Sequence, residues 1–315
     1  MSDDRTVVTV GTFDGVHRGH GAVLDEIARR ARASGRRSVL VTFDPHPLEI
    51  VNPQAAPQLL TLADEKRQIL SQSPVDEVAF VPFTPVLRDL SPDAFVREVL
   101  EARFRIAELV IGHDHGFGRD RSGDVEFLRR LGATDGFAVD VVPAVLLPDG
   151  RPISSTLIRR AIAGGDLDTA ARALGRRYSV SGQVEQGAGR GKTIGIPTIN
   201  LALPSPRKLL PPDGVYACQV VWDGNTWGAM ANLGPRPTFG EHARGLEAHL
   251  FEFSGDLYGK AVTVEFVKRL RDVIKFASVD ALKLQLGADR QAALAALRKP
   301  EKPVTFQGSQ NPAQP

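Results

Sequence analysis

Apolar and polar positions change their period about halfway along the chain. In the first half, short apolar runs alternate with helical patterns. Thr6-Val7-Val8-Thr9-Val10 reads as a strand, and Gly19 to Ala33 reads as a helix with Val23, Leu24, Ile27 and Ala28 on one face. Val39 to Phe43, Leu109 to Ile111 and Val139 to Val142 read as further strands. Ala63 to Ser71, Pro92 to Phe104 and Asp124 to Leu131 read as further helices. Strands alternating with helices predict an α/β module, a Rossmann-like parallel sheet with crossover helices.

The second half alternates with period two and is punctuated by glycine and proline. Ser179 to Val184, Val215 to Trp222, Gly228 to Ala231, Leu246 to Phe253 and Val262 to Phe266 read as short strands, which predicts an antiparallel β-barrel or sandwich. A helix over Val279 to Leu297, with Ser278 and Asp280 as candidate caps, closes this module. Ala163-Gly164-Gly165-Asp166 reads as a hinge. The expected organisation is residues 1–165, a linker over 166–178, a barrel over 179–298, and a polar, proline-bearing tail over 299–315 that is expected to be disordered.

Composition narrows the classes. A chain of 315 residues accommodates two domains, and its net charge of +2 is too small to argue for nucleic acid. No apolar run approaches the roughly 20 residues that span a bilayer, and the polar start Met1 to Arg5 lacks a signal-peptide core, so a cytoplasmic protein is expected. The basic run Arg29 to Arg37 reads as a solvated helix end. Cys218 is the one cysteine, in an alternating run that predicts a buried, inert thiol.

The chemistry of the first module concentrates in Gly11-Thr-Phe13-Asp14-Gly15-Val-His17-Arg-Gly19-His20, directly after the first strand. In a parallel sheet, ligands bind beyond the carboxyl ends of the strands. His17 and His20 are spaced i, i+3 at a helix entrance, whose N–H groups favour anions. That arrangement suits charge developing on a phosphate; two histidines in an ordinary strand-to-helix loop are the bland alternative. Ile153-Ser154-Ser155-Thr156-Leu157-Ile158-Arg159 reads as a second anion site at a helix start, or as a plain capped helix.

The first segment resembles the H-x-G-H signature of class I synthetase-like nucleotidyltransferases. Its longer form, with Phe43-Asp44-Pro45-His46-Pro47 and the Ile153 to Arg159 run, resembles the adenylyltransferase half of the prokaryotic bifunctional riboflavin kinase/FMN adenylyltransferases. Gly112-His113-Asp114-His115-Gly116-Phe117-Gly118 resembles a third signature of that family, with His115 where an aromatic is more usual. The resemblance implies ATP at Gly11, Phe13, Asp14, Gly19, Asp114, Ser155 and Thr156, with His17, His20 and Arg159 catalytic, and FMN at Pro45, His46 and Pro47. Attack of the FMN phosphate on the α-phosphorus of ATP needs no base at neutral pH, which gives the histidines charge stabilisation as their task. Asp14 has two readings here, steering the loop or a metal, and structural capping.

In the second module, glycines 187, 189, 191 and 195 surround Arg190 and Lys192, without the spacing of a Walker loop. Thr198 and Asn200 lie two apart in an extended run, so they share a face and offer two oxygens suited to Mg²⁺. Glu247 and His249 alternate with Leu246, Ala248 and Leu250. The string from Gly189 to Asn200 resembles the G-R-x-x-G-x-P-T-x-N signature of riboflavin kinases. Asp213 to Ala217, Asn232 to Phe239 and Glu247-Ala-His249 follow in that family's order. The resemblance implies ATP at Gly187, Arg190 and Lys192, Mg²⁺ at Thr198 and Asn200, and Glu247 as the base for a ribityl hydroxyl. It also implies flavin contact at Arg271 and Phe276, in a segment where Val273 stands in place of the usual charged residue.

The expected function is therefore ATP-dependent conversion of riboflavin to FMN and of FMN to FAD. The expected cofactor is Mg²⁺, with ATP, riboflavin, FMN and FAD as substrates and products. Expected partners are small molecules, with neither nucleic acid nor membrane, and a monomer or weak homo-oligomer is expected. The rival enzyme reading is a nucleotidyltransferase for another small phosphate with an accessory flavin-binding barrel. A flavin-binding regulator that kept the fold and lost the chemistry is the reading from another class.

Overall fold

The computed structural model describes residues 4–113, 124–187, 191, 194–203, 205–235 and 244–298. The chain divides into two compact units between Ser155 and Thr156, shortly before the expected boundary at residue 165. The expected tail, 299–315, lies outside the described residues.

The first unit is a five-stranded parallel sheet in the order β3-β2-β1-β4-β5, with β1 Thr6–Val10, β2 Arg37–Asp44, β3 Glu77–Pro82, β4 Ile106–Gly112 and β5 Ala138–Val142. Its helices are α1 Arg18–Ser34, α2 Pro47–Val51, α3 Ala63–Leu70, α4 Pro85–Asp89, α5 Pro92–Phe95, α6 Ala102–Phe104 and α7 Val125–Asp135, with a π-helical stretch Val96–Glu101 joining α5 to α6. Strand side chains alternate between two buried faces. Val7, Leu40 and Val110 pack with Leu24, Ile27 and Leu70, while Val8, Val39, Val41, Leu109 and Ile111 pack with Phe95, Val99, Leu100 and Leu128. Burial on both faces is why these strands read as unbroken apolar runs.

Strand β3 and helices α2 and α4 were not anticipated. β3 is an edge strand and mostly half-buried, so its pattern is weak. The helix expected over Pro92 to Phe104 is interrupted by its π stretch, and the one expected to end at Leu131 runs on to Asp135, where Gly136 stops it with φ 86°.

The second unit carries α8 Ser155–Ala163, whose first residue belongs to the first unit, and α9 Leu167–Leu174. It then forms a closed six-stranded barrel of β6 Tyr178–Glu185, β7 Ile199–Leu201, β8 Gly214–Trp222, β9 Asn225–Pro235, β10 Arg244–Leu250 and β11 Ala261–Arg271, in the order β10-β7-β6-β11-β8-β9. Closure decides between barrel and sandwich. Inward positions such as Val180, Tyr216, Cys218, Leu246, Val264 and Phe266 fill the interior, and the Tyr216 and Phe266 rings meet edge to face at 5.1 Å. Burial pushes the Cys218 thiol pKa upward, so the thiol is inert as expected. Helix α10, Val279–Leu297, is capped by Ser278, whose Oγ accepts from Ala281 N at 3.1 Å, and it packs Ala293 against Ala217 and Met230.

Candidate functional site

In the first unit the loop from Gly11 to His17 joins β1 to α1 at the carboxyl edge of the sheet, the edge where parallel sheets hold ligands. It is tightly wound. Gly15 has φ 81°, and a Cβ there would stand 2.7 Å from the Leu60 side chain, so only glycine fits. Phe13 and Val16 also take positive φ, 49° and 39°.

His17 is the N-cap of α1. The His20 backbone N–H donates to His17 Nδ1 at 3.3 Å, and the His17 N–H donates to His20 Nδ1 at 3.2 Å. This is a capping box built from two imidazoles instead of a hydroxyl and a carboxylate. Both Nδ1 atoms accept, so the proton of each neutral ring sits on Nε2. The rings stack at 3.6 Å between centroids, and Phe13 packs against His20 at 4.5 Å. The result is a stacked pair held to the backbone through both Nδ1 atoms. Gly19 lies in the first turn of α1, and Gly11 N donates to Val41 O at 3.1 Å.

Asp14 is 3% exposed, and its carboxylate accepts from Leu60 N and Thr61 N, each at 3.0 Å. Its carboxylate thereby holds the backbone of the segment that leads into α3. Ser155 Oγ donates to Asp14 O at 2.9 Å, joining two motifs 141 positions apart. Thr156 and Arg159 follow in α8 and are counted with the second unit. Asp114 lies outside the described residues. Pro45 follows a cis peptide bond after Asp44. His46 caps α2, with Nδ1 accepting from Leu48 N at 3.2 Å, and Pro47 is the first residue of that helix.

One group at this edge was missed from the sequence. Lys66, on α3, is 7% exposed, and its ammonium donates to Phe43 O at 2.8 Å, Thr12 O at 3.3 Å and Thr42 Oγ1 at 3.5 Å. Burial pushes its pKa down, against the pull of Asp14 and Asp44. A charged tetrad in a short surface helix carries no sequence signal for burial.

In the second unit the strand register assembles the site. Glu247 on β10 pairs directly with Asn200 on β7 and with Asn232 on β9. Directly opposed residues share a face, so the three side chains form one row across three strands. Leu246, Ala248 and Leu250 are buried on the opposite face, as the alternation predicted. His249 shares the face of Glu247, and its Nδ1 lies 2.7 Å from Pro197 O, next to Thr198. A Cβ on Gly187 would stand 2.0 Å from Asn200 Nδ2, so the glycine is the backbone against which Asn200 rests. The Thr198 hydroxyl and Asn200 amide oxygen are neutral hard donors, a set that fits Mg²⁺ sharing its shell with phosphates and water. Arg190 and Lys192 lie outside the described residues.

Arg271 donates through Nε to Asp289 Oδ1 at 2.9 Å, through Nη2 to Oδ2 at 2.7 Å, and through Nη1 to Asp272 O at 2.8 Å. Its guanidinium lies 5.8 Å from the Phe276 ring centroid. The sequence did not anticipate Asp289, which is 3% exposed.

The basic run at the end of α1 is matched by acids. Arg29 and Arg30 pair with Glu26, Arg30 also with Asp140, and Arg36 with Glu108. Among the described residues no helix is long and apolar enough to cross a membrane.

Comparison with known proteins follows the same two-part plan. Residues 1–157 match the FAD synthetase family, and residues 174–297 match the riboflavin kinase family. A Pseudomonas fluorescens protein named bifunctional riboflavin kinase/FMN adenylyltransferase is 41% identical over 290 residues, 92% of each chain. Its namesake in Escherichia coli (strain K12) is 36% identical over 91% of each. A solved structure from Streptococcus pneumoniae, described as a macrolide-efflux protein, is 33% identical with TM-score 0.84, covering 93% of this chain and 95% of that one. With both signatures in order on a parallel sheet and a closed barrel, the chain belongs to the bifunctional riboflavin kinase/FMN adenylyltransferase family.

Proposed function

We infer that the two reactions of this family, riboflavin to FMN and FMN to FAD, run at the row of β7, β10 and β9 and at the histidine loop after β1, respectively. ATP is the co-substrate of both, and a chain that draws on ATP and feeds flavoenzymes is read as cytoplasmic.

The observation that carries this division is where each unit keeps a usable carboxylate. Riboflavin attacks through a hydroxyl, which must lose its proton. Glu247 stands beside Asn200 in register and is the carboxylate that this reading uses to accept that proton. FMN attacks through a phosphate already ionised at neutral pH. Correspondingly, the acid of the histidine loop, Asp14, is consumed by backbone N–H groups. What that reaction needs is stabilisation of charge on the α-phosphate and the departing pyrophosphate. Two Nε2–H donors on a stacked, capped pair supply this with little reorganisation.

Thr198 and Asn200 would hold Mg²⁺, which when bound neutralises phosphate charge. The backbone at Gly187 lies against the Asn200 side chain, and His249 contacts the carbonyl before Thr198, which supports this reading.

The test is product analysis with riboflavin, ATP and Mg²⁺. FMN should accumulate first and FAD follow. Replacing His20 by alanine should stop FAD and spare FMN, and replacing Glu247 should do the reverse. Loss of both products from either change in a folded protein overturns the division.

A further inference from the structure

The helix α3 lies in none of the motifs quoted from the sequence, yet the segment from Leu60 to Arg67 is tied to both ligand loops of the first unit. Asp14, in the loop after β1, accepts from Leu60 N and Thr61 N. Lys66 donates back to that loop at Thr12 O, and to Phe43 O at the end of β2. Thr42 Oγ1 both accepts from Lys66 and donates to Thr12 O at 3.1 Å. Arg67 then pairs with Asp44 at 3.2 Å and lies 4.5 Å from the Phe80 ring centroid.

Burying an ammonium is costly, and a plain brace between α3 and the sheet could be built from apolar side chains. The ammonium offers what they do not. It has three donors, and three oxygens stand within reach, from the two chain segments that lead into Phe13-Asp14 and into Pro45-His46-Pro47. We propose that Lys66 is a positioning residue for adenylyl transfer, locking the histidine loop and the Asp44–Pro47 loop into one rigid frame on which nucleotide and flavin phosphate are aligned. The proposal rests on the reading that FMN is adenylylated at these loops.

Lys66 touches no reacting atom in this account and acts through the carbonyls it holds. The charged groups that face it are Asp14 from the first loop, Asp44 from the end of β2 and Arg67 from its own helix. Its lowered pKa gives a signature with opposite signs in activity and stability. Below the folded-state pKa the buried ammonium is charged and its desolvation penalty is fully present. As pH rises through that value toward the unfolded value near 10.5, the penalty is relieved. Stability of the first unit therefore rises with pH over this window, while the frame loses donors and FAD formation falls.

The experiment uses the full chain, with FAD formation from supplied FMN as the readout and FMN formation from riboflavin as the internal reference. Lys66→Met keeps the stem and removes the donors. Its kcat/KM for FAD formation should fall on the order of 10²-fold, the cost of misplacing reactants by about an ångström, with riboflavin phosphorylation unchanged and thermal unfolding no lower than wild type. Lys66→Arg should recover part of the rate and abolish the alkaline decline seen in wild type. A folded Lys66→Met chain that makes FAD at the wild-type rate, with unchanged KM for FMN and ATP, overturns the proposal. If Lys66→Met does not fold, parallel alkaline profiles in wild type and Lys66→Arg overturn it instead. His20→Ala separates the two readings: FAD formation surviving that change sinks the site assignment itself, whatever Lys66 does.

Discussion

Arg271 and Asp289 form a two-pronged ion pair between the end of β11 and the middle of α10, with N–O distances of 2.9 and 2.7 Å and the carboxylate 3% exposed. The same guanidinium donates to Asp272 O and lies against Phe276, so it organises the segment that follows β11 while pinning α10 to the barrel. That engagement uses the planar fork of the guanidinium on two sides at once.

Asp289→Ala should be costly, because it leaves a mostly buried guanidinium without its counter-charge. The expected loss is about 3 kcal/mol in denaturant unfolding of the second unit. Riboflavin phosphorylation should show a raised KM for riboflavin, since the guanidinium that lies against Phe276 loses its anchor. FAD formation from supplied FMN should stay unchanged.

The histidine pair separates capping from catalysis. His17→Asn keeps a side chain suited to the N-cap, whereas His17→Ala loses it at about 1 kcal/mol of stability. Both should lose FAD formation by about 10²- to 10³-fold if the imidazole supplies a donor to developing charge. Equal activity in wild type and His17→Asn, with only alanine impaired, would assign the residue to capping alone. Steady-state rates with thermal melts on the three chains decide it.

How far the sequence could be read depended on the range over which each feature is encoded. The central strands of the first unit were legible because burial on both faces makes each a continuous apolar run, as at Val39 to Phe43. β3 was not, since an edge position leaves Glu77 to Phe80 half-buried. The histidine pair was legible because its chemistry fits within four residues. Lys66 was not, because nothing in Ala63-Asp-Glu-Lys66-Arg67 distinguishes the buried cation from its exposed neighbour. The same limit applies to Asn232 beside Glu247 and to Asp289 beside Arg271. Barrel register and a long-range ion pair decide those positions, and neither is written locally.

Acid should weaken the first unit partly through Glu26. The Arg29 hydrogen bond, with Arg30 adding to it, holds the Glu26 carboxyl down at about 2. A depressed carboxylate pKa stabilises above the unfolded value near 4.5, and that contribution is lost as pH falls from there toward 2. Thermal melts at pH 5 and pH 3 should differ less for Glu26→Gln than for wild type. Equal slopes in the two chains would remove Glu26 from the acid response.

Gly187 tests whether Asn200 is a functional oxygen. A methyl group there would stand 2.0 Å from Asn200 Nδ2 and 2.6 Å from its amide carbon, closer than atoms can approach, so Gly187→Ala must displace the Asn200 side chain. The expected result is a raised Mg²⁺ requirement for FMN formation and a rate lowered by about 10²-fold, the usual scale for misaligned reactants, with FAD formation from FMN untouched. Asn200→Asp exchanges the amide for a carboxylate at the same position and should lower the Mg²⁺ requirement, because a carboxylate binds the ion more strongly than an amide. An unaltered Mg²⁺ dependence in both variants would remove Asn200 from the metal site.

Glu247 is tested most directly, since register fixes its place in the row and its proposed role is the uptake of one proton. Glu247→Gln keeps the shape and the cross-strand packing beside Asn200 and Asn232, and removes only the capacity to take a proton. FMN formation should drop by about 10²- to 10⁴-fold, the usual contribution of a positioned general base, while KM for riboflavin and ATP changes little. A glutamine variant with a near-normal rate would mean that phosphoryl transfer here needs no side-chain base, and that alignment of the hydroxyl with the γ-phosphate supplies the whole acceleration.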